Sequence, residues 1–241
     1  MGEGVRAVLI AALLLVGIPA PGRAAPVEVG PQLERLADPE LGARLGFLEE
    51  RLEAGRLSAQ GWQYGWTGVY GVTTTLSAVQ TLLADDADDR VYNLVGAVKS
   101  AGGLAQLLLD PLPARLGAAA MQEVPATTRR GRLERLAVGE RQLFVNAARA
   151  EQRYSLRRHL EGVTTNVIGG AVIWAFGSSS DAVVSTLSGI AVGELQIWTQ
   201  PWRATGDLED YRNRFTNGSV MGDAGWQLRP RPGGVELALR F

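Results

Sequence analysis

The sequence predicts a mainly α-helical protein in which one helical hairpin occurs twice. The two copies are expected to form a pseudo-twofold four-helix core, with extra amphipathic helices and a small C-terminal β-hairpin. Three observations predict this. The tetrapeptide Gly71-Val72-Thr73-Thr74 returns as Gly162-Val163-Thr164-Thr165, and the match runs on at an offset of 91, so that 71–84 lies over 162–175. Each of these uncharged segments is followed by capping and turn-forming residues: Asp85, Asp86, Asp88 and Asp89 in the first copy, and Gly177, Ser178, Ser179, Ser180 and Asp181 in the second. After one gap the second halves align at an offset of 90, with Leu94 over Val184, Lys99 over Gly189, Gly103 over Gly193, Leu104 over Glu194, Gln106 over Gln196 and Pro111 over Pro201. A four-residue match is a common coincidence in a chain rich in Ala, Gly, Leu and Val. Its extension in order, through a turn to a terminal proline, argues for duplication. An apolar hairpin buries one face only by packing on something else, and a second copy supplies that surface.

A chain of 241 residues with 46% hydrophobic content can build one large domain or two small ones. A formal net charge of −1 gives no global attraction for nucleic acid. Locally, 26–110 is acidic and 111–180 basic, a complementarity expected to be satisfied within one molecule. The absence of cysteine excludes disulfides, thiolate nucleophiles, cysteine metal sites and a lipidated cysteine.

In chain order, 1–24 reads as a signal peptide. Arg6 precedes an apolar run over 7–18 that is too short to span a bilayer, and Pro19, Pro21 and small residues follow, with cleavage expected before Ala25. Within 25–56, Asp38-Pro39-Glu40 opens an amphipathic helix whose Leu41, Leu45, Leu48 and Leu52 recur at helical spacing; it is expected to stop near Glu53, with Gly55 as its C-terminal glycine. The first hairpin occupies 57–113. Its opening helix carries no charge over 57–84 and places Gly61, Gly65, Gly68 and Gly71 on one face, where another backbone could approach closely. Trp62, Trp66 and Tyr70 line another face and suit a boundary between apolar and wet surroundings. The alternative is a glycine-faced helix packed in an ordinary core.

The second helix of this hairpin, 91–109, carries Lys99 in its middle. Its counterpart oddity is Glu194; the two could form a buried ion pair, but the arrangement expected first is that each extends to water. The region 114–160 holds a linker and a basic helix, capped by Thr127 or Thr128 and running from 129 towards Gly162, with Leu136, Leu143, Ala147, Ala150 and Tyr154 as its apolar stripe. His159, the only histidine, reads as a surface residue. The second hairpin occupies 161–202 and carries Gly162 and Gly193 at the counterpart positions. In 203–241 a short polar helix over 207–215 precedes a turn at Asn217-Gly218 and then a β-hairpin, in which Val235, Leu237, Leu239 and Phe241 alternate with Glu236, Ala238 and Arg240. This ending resembles the closing strand of bacterial outer-membrane β-barrels, which that family uses as an assembly signal. The resemblance covers only the last residues, and the rest lacks the alternating strands of a barrel.

No nucleophile elbow, zinc-protease pair, P-loop, dinucleotide turn or EF-hand spacing occurs, and the aspartate cluster lacks a calcium-loop pattern. No catalytic residue, metal or cofactor is therefore expected. The reading is an exported, non-enzymatic protein of the cell envelope, in the periplasm or outer envelope, associated with a membrane through its glycine-rich hairpins. Its expected partners are membrane lipid or an envelope protein, not nucleic acid, and a homo-oligomer is left open. One alternative is a soluble periplasmic bundle binding an apolar ligand or partner. The other is a hydrolase built on carboxylates such as Glu49 and Asp88.

Overall fold

The structure, a computed structural model, describes residues 29–215 and the backbone of 225–231 and 234–240. The expected signal peptide and the Asn217-Gly218 turn lie outside the described residues. The protein is mainly helical: α1 (Pro31–Glu34), α2 (Asp38–Leu83), α3 (Ala87–Leu109), a 3-10 turn (Pro113–Leu116), α4 (Ala119–Gln122), α5 (Arg129–Arg153), α6 (Leu156–Phe176), α7 (Ser179–Trp198) and α8 (Arg203–Phe215). Towards the C-terminus the backbone of Gly225–Arg231 runs antiparallel to that of Gly234–Arg240, with Trp226 opposite Leu239 and Leu228 opposite Leu237.

Two helix boundaries differ from expectation. The helix expected to stop at Gly55 continues, making α2 a single helix of 46 residues. The left-handed turn with which a glycine commonly ends a helix is not taken at Gly55; Gly117 is the only glycine with positive φ among the described residues. The helix expected to run from 129 to Gly162 instead breaks after Arg153, and Ser155, extended at φ −70° and ψ 146°, starts α6. Its hydroxyl donates to the Gln152 carbonyl at 2.6 Å, the kind of local side-chain bond that competes with helix continuation. Other starts follow their capping residues. The Asp86 carboxylate accepts from Asp88 N at 2.6 Å, Ser178 Oγ from Asp181 N at 3.4 Å, and Thr128 Oγ1 from Gly131 N at 3.0 Å.

The chain folds into two compact units, each assembled from separate stretches. Of the described residues, one unit comprises 60–112 and 152–199, and the other takes 29–59, 113–151 and 200–215. The second unit has a leucine-rich core in which Leu41, Leu48 and Leu52 of the first predicted stripe pack with Leu133, Leu136 and Leu143, closed by Phe47, Met121 and Tyr211. Ala147 and Ala150, from the same predicted α5 stripe, are also buried. Next to this core the buried Arg44 guanidinium donates to Glu40 (2.7 Å) and to the Phe215 carbonyl (2.8 Å), and the Tyr211 hydroxyl donates to Glu140. Burial first, and then Glu140, push the Tyr211 hydroxyl far above the ordinary tyrosine value. Asp38 pairs with Arg129 and Arg132, so acidic and basic stretches do meet inside this unit.

Candidate functional site

The residues singled out in the sequence lie in the first unit, which is built from α2 beyond Gln60, α3, α6 and α7. Its helices approach one another over glycines. A Cβ at Gly170 would land on Thr186 Oγ1 and 3.1 Å from the Ala182 carbonyl, so α6 and α7 pack almost backbone to backbone there. A Cβ at Gly169 would come 2.9 Å from Lys99 Cδ and 3.4 Å from Val95 Cγ1, where α6 meets α3, and one at Gly103 would come 2.8 Å from the Tyr70 ring, where α3 meets α2.

These are not the predicted glycines. Gly61, Gly65, Gly68 and Gly71, and likewise Gly162 and Gly193, have nothing within 4 Å of a Cβ, so the expected close-packed seam is not formed in the described chain. The reason lies in which side of α2 carries the larger polar-tipped residues. Trp62 and Gln63 are buried, and the inward face continues through Trp66, Tyr70 and Thr74 at helical spacing, which turns the glycines away. Gln63 closes the hairpin by donating to the Leu107 carbonyl (2.8 Å) and accepting from Leu112 N (3.0 Å). Trp62 Nε1 donates to the Gln196 carbonyl (3.2 Å), Tyr70 to Gln196 Oε1 (3.1 Å) and Trp66 Nε1 to Thr199 Oγ1 (3.1 Å). The three aromatics thus share one end of α7, each with its polar atom satisfied. Thr74 Oγ1 bonds Ser100 Oγ at 3.0 Å further along the α2–α3 contact.

Lys99 and Glu194 neither pair nor simply extend to water. Lys99 Nζ donates to the carbonyl and hydroxyl of Ser185 (3.1 and 3.3 Å), and burial holds its amine below the ordinary lysine value. The ammonium lies by Gly189, five positions before Glu194 on α7, a rise of roughly 7.5 Å along that helix. The Glu194 carboxylate is held by His159 Nδ1 (2.8 and 3.0 Å to the two oxygens) and by Trp198 Nε1 (3.1 Å). His159 is therefore a half-buried partner of α7 rather than a surface residue. The sequence held no cue to this, because the two residues stand on different helices. Asn166, 8% exposed, donates to the Gly162 carbonyl (2.9 Å), while its Oδ1 is buried without a hydrogen-bond partner. A Cβ at Gly189 would fall on that oxygen and 2.7 Å from Lys99 Nζ, so both groups fill the space that the missing side chain leaves.

Outside this interior the unit is apolar. Val69, Val72, Leu76, Leu82 and Leu83 of α2, Leu108 of α3, Val167, Trp174 and Phe176 of α6, and Val183, Val184, Leu187 and Leu195 of α7 are all exposed, Leu83 to 74% and Trp174 to 67%. Soluble monomers rarely show an apolar patch beyond a few hundred Å². Lys99 apart, the charges stand at the ends of the helices: Asp85, Asp86, Asp88, Asp89, Arg90 and Asp181 at one set of turns, and Asp110, Arg153, Arg157, Arg158, Glu161 and Glu194 towards the other. There, burial alone would raise the Glu161 carboxyl, but Arg157 and Arg158 bring it below its ordinary value. No helix among the described residues is long and apolar enough to cross a membrane. Among the described residues no group of three or more His, Asp or Glu side chains could hold a metal ion. Of the carboxylates considered for hydrolysis, Glu49 accepts from Gln122 Nε2 (3.0 Å) and the Asp88 backbone N–H donates to the Asp86 cap.

Comparison with family models, curated proteins and solved structures found no match to this chain.

Proposed function

We propose that this is an exported, non-enzymatic protein of the cell envelope whose helical-hairpin unit is held, as an assembled body, against the apolar layer of a membrane. One observation carries the reading: large apolar side chains of this unit point outward along α2, α6 and α7 and at the last turn of α3, while its charges, Lys99 apart, gather at the helix ends. The open glycines of α2 lie on the same exterior and leave it smooth. Attachment in this reading comes from the outer surface and not from a glycine seam within the chain.

The two hairpins are taken as copies of one ancestral unit related by a pseudo-twofold. Two observations support that. Gln63 closes the first hairpin at the Leu107 carbonyl, and Tyr154, its counterpart at the offset of 91, closes the second at the Trp198 carbonyl (3.4 Å). Lys99 and Gly189, counterparts in the alignment, meet each other, as related residues do at a twofold axis. The C-terminal β-hairpin is read as a small appendage to the helical body.

The test is flotation of the purified chain with phospholipid vesicles, paired with a carbonate wash of membranes from expressing cells. Co-flotation and retention after the wash are expected. A chain that stays at the bottom of the gradient and is released by the wash is a bundle with another partner.

A further inference from the structure

The setting of Lys99 is asymmetric in a way that the duplication does not require. Its ammonium finds the Ser185 carbonyl and hydroxyl, and its end lies beside the space over Gly189 that it shares with Asn166 Oδ1. Its stem crosses Gly169, where a Cβ would come within 2.9 Å. All four of these residues belong to the second copy. Their counterparts in the first copy are Val95 for Ser185, Lys99 itself for Gly189, Thr75 for Asn166 and Ala78 for Gly169. Every replacement changes the setting of the lysine. Val95 has no hydroxyl, Thr75 spends its hydroxyl on the Gly71 carbonyl (2.9 Å), and Ala78 adds the methyl that Gly169 lacks.

We infer that Lys99 and its second-copy setting form a pairing code: the first hairpin can pack on the second but not on the first hairpin of another molecule. The inference rests on the duplication described above. Two first hairpins packed about the same axis would bring two ammonium groups together, with the Ser185 hydroxyl missing and only a backbone carbonyl at Val95 in its place. A buried like-charge pair is strongly unfavourable. Two second hairpins would instead set Gly189 against Gly189 and leave two buried Asn166 oxygens over a void. Only the mixed pair fills the space with a single ammonium and gives it both a carbonyl and a hydroxyl. Duplicated chains are exposed to such misassembly, because each copy presents nearly the same surface to its own kind.

The absence of cysteine makes the test direct. Val95, 4% exposed, is buried with Ile173 and Ala182, so a cysteine there is shielded from other molecules as long as the hairpins pair within the chain. The full chain carrying V95C is compared with V95C/K99M after mild oxidation, and disulfide-linked dimer is read on non-reducing gels. Little dimer is expected with Lys99 in place, and a several-fold increase once the charge is removed. Equal dimer in the two variants, or abundant dimer with Lys99 retained, overturns the inference. V95C/K99Q, uncharged but still able to bond Ser185, is read by the same rule should V95C/K99M not give a cooperative melt. A third variant, V95C/A182C, tests the underlying arrangement. It is expected to close an intrachain disulfide, and failure to do so removes the observed hairpin pairing itself. Vesicle flotation of the unsubstituted chain reports the membrane reading separately from all three.

Discussion

Gly170→Ala probes a close contact between α6 and α7, and its outcome can be worked through from the geometry. The added methyl would occupy the position of Thr186 Oγ1, and that hydroxyl donates to the Ala182 carbonyl at 2.7 Å. Thr186 must rotate and lose this bond, a loss of about 0.5–1.5 kcal/mol. Rotation does not remove the second obstacle, the Ala182 carbonyl 3.1 Å from the new atom, because that oxygen belongs to the α7 backbone. Parting α6 from α7 by a few tenths of an ångström is an overpacking cost of about 1–3 kcal/mol. Against this, alanine returns about 1 kcal/mol of helix propensity. The net expectation is a loss of about 1–3 kcal/mol, or a melting temperature lower by roughly 4–20 °C at the usual conversion for a domain of about 100 residues. The control is Gly193→Ala on α7, where a Cβ meets nothing within 4 Å and only the propensity gain of about 1 kcal/mol applies. Thermal and urea denaturation of both variants, with Gly170→Ala/Thr186→Ala as the rescue that clears the hydroxyl, measure the difference. A Gly170→Ala protein that melts at or above the wild-type temperature would refute the reasoning, since α6 and α7 could not then be in contact at this point.

Gly65→Ala and Gly68→Ala should each raise stability by up to about 1 kcal/mol, read by urea denaturation; a loss in both would mean that the α2 glycines face a packed surface after all. Tyr211→Phe removes the hydroxyl that joins Glu140 to the Arg44 hub and should lower the stability of the leucine-rich unit by about 1–2 kcal/mol, detected as an earlier urea transition. Lys99 gives a pH signature. Because its folded-state value lies below the unfolded one of about 10.4, the unfolded chain holds the extra proton between the two. Wild-type stability relative to Lys99→Met should therefore rise as the pH passes up through that window. A difference that is flat from neutral pH to about 10.5 would show that the amine is not desolvated in the fold. His159→Ala should loosen the α6–α7 contact at Glu194 and Trp198, seen as faster amide exchange near the C-terminal end of α7 with little change around Gly170.

What was legible in the sequence was periodic or chemically local. Leu41, Leu48 and Leu52, and Leu136, Leu143, Ala147 and Ala150, recur at helical spacing and are all buried, because a stripe of branched or small apolar residues has one low-energy place to go. Asp86, Thr128 and Ser178 cap the helices they precede, since a short oxygen-bearing side chain needs only its own next turn to do so. Continuity was not legible at Gly55 or at Ser155. A glycine only permits a left-handed helix end, and a serine hydroxyl only competes for a nearby carbonyl; whether either ends the helix is decided by tertiary context. The partners of Lys99 and Glu194 were hidden for a different reason. Treating the two as each other's partner assumed that unlike charges set the register, whereas Ser185 and His159 stood nearer once α3, α6 and α7 had packed.

The glycines raise the same difficulty and also supply an argument. Gly103, Gly169 and Gly170 lie against other helices, while Gly61, Gly65, Gly68 and Gly71 lie open, although periodicity alone makes the second set the better candidate. Four solvent-facing glycines within one helix cost about 1 kcal/mol each relative to alanine, and no contact inside the described chain offsets that. Val69, Val72, Leu76 and Leu83 continue along the same helix and are exposed. A surface that combines a helix-weakening row with an apolar one is unfavourable in water on both counts. Against lipid, the apolar side chains gain burial and the glycines allow acyl chains or another helix to approach closely. Vesicle binding should accordingly weaken when Val72 and Leu76 are both changed to glutamine, with the buried contacts of Trp62, Tyr70 and Thr74 untouched and the melting temperature in buffer unchanged. Undiminished flotation of that double variant would place the membrane-facing surface elsewhere on the molecule.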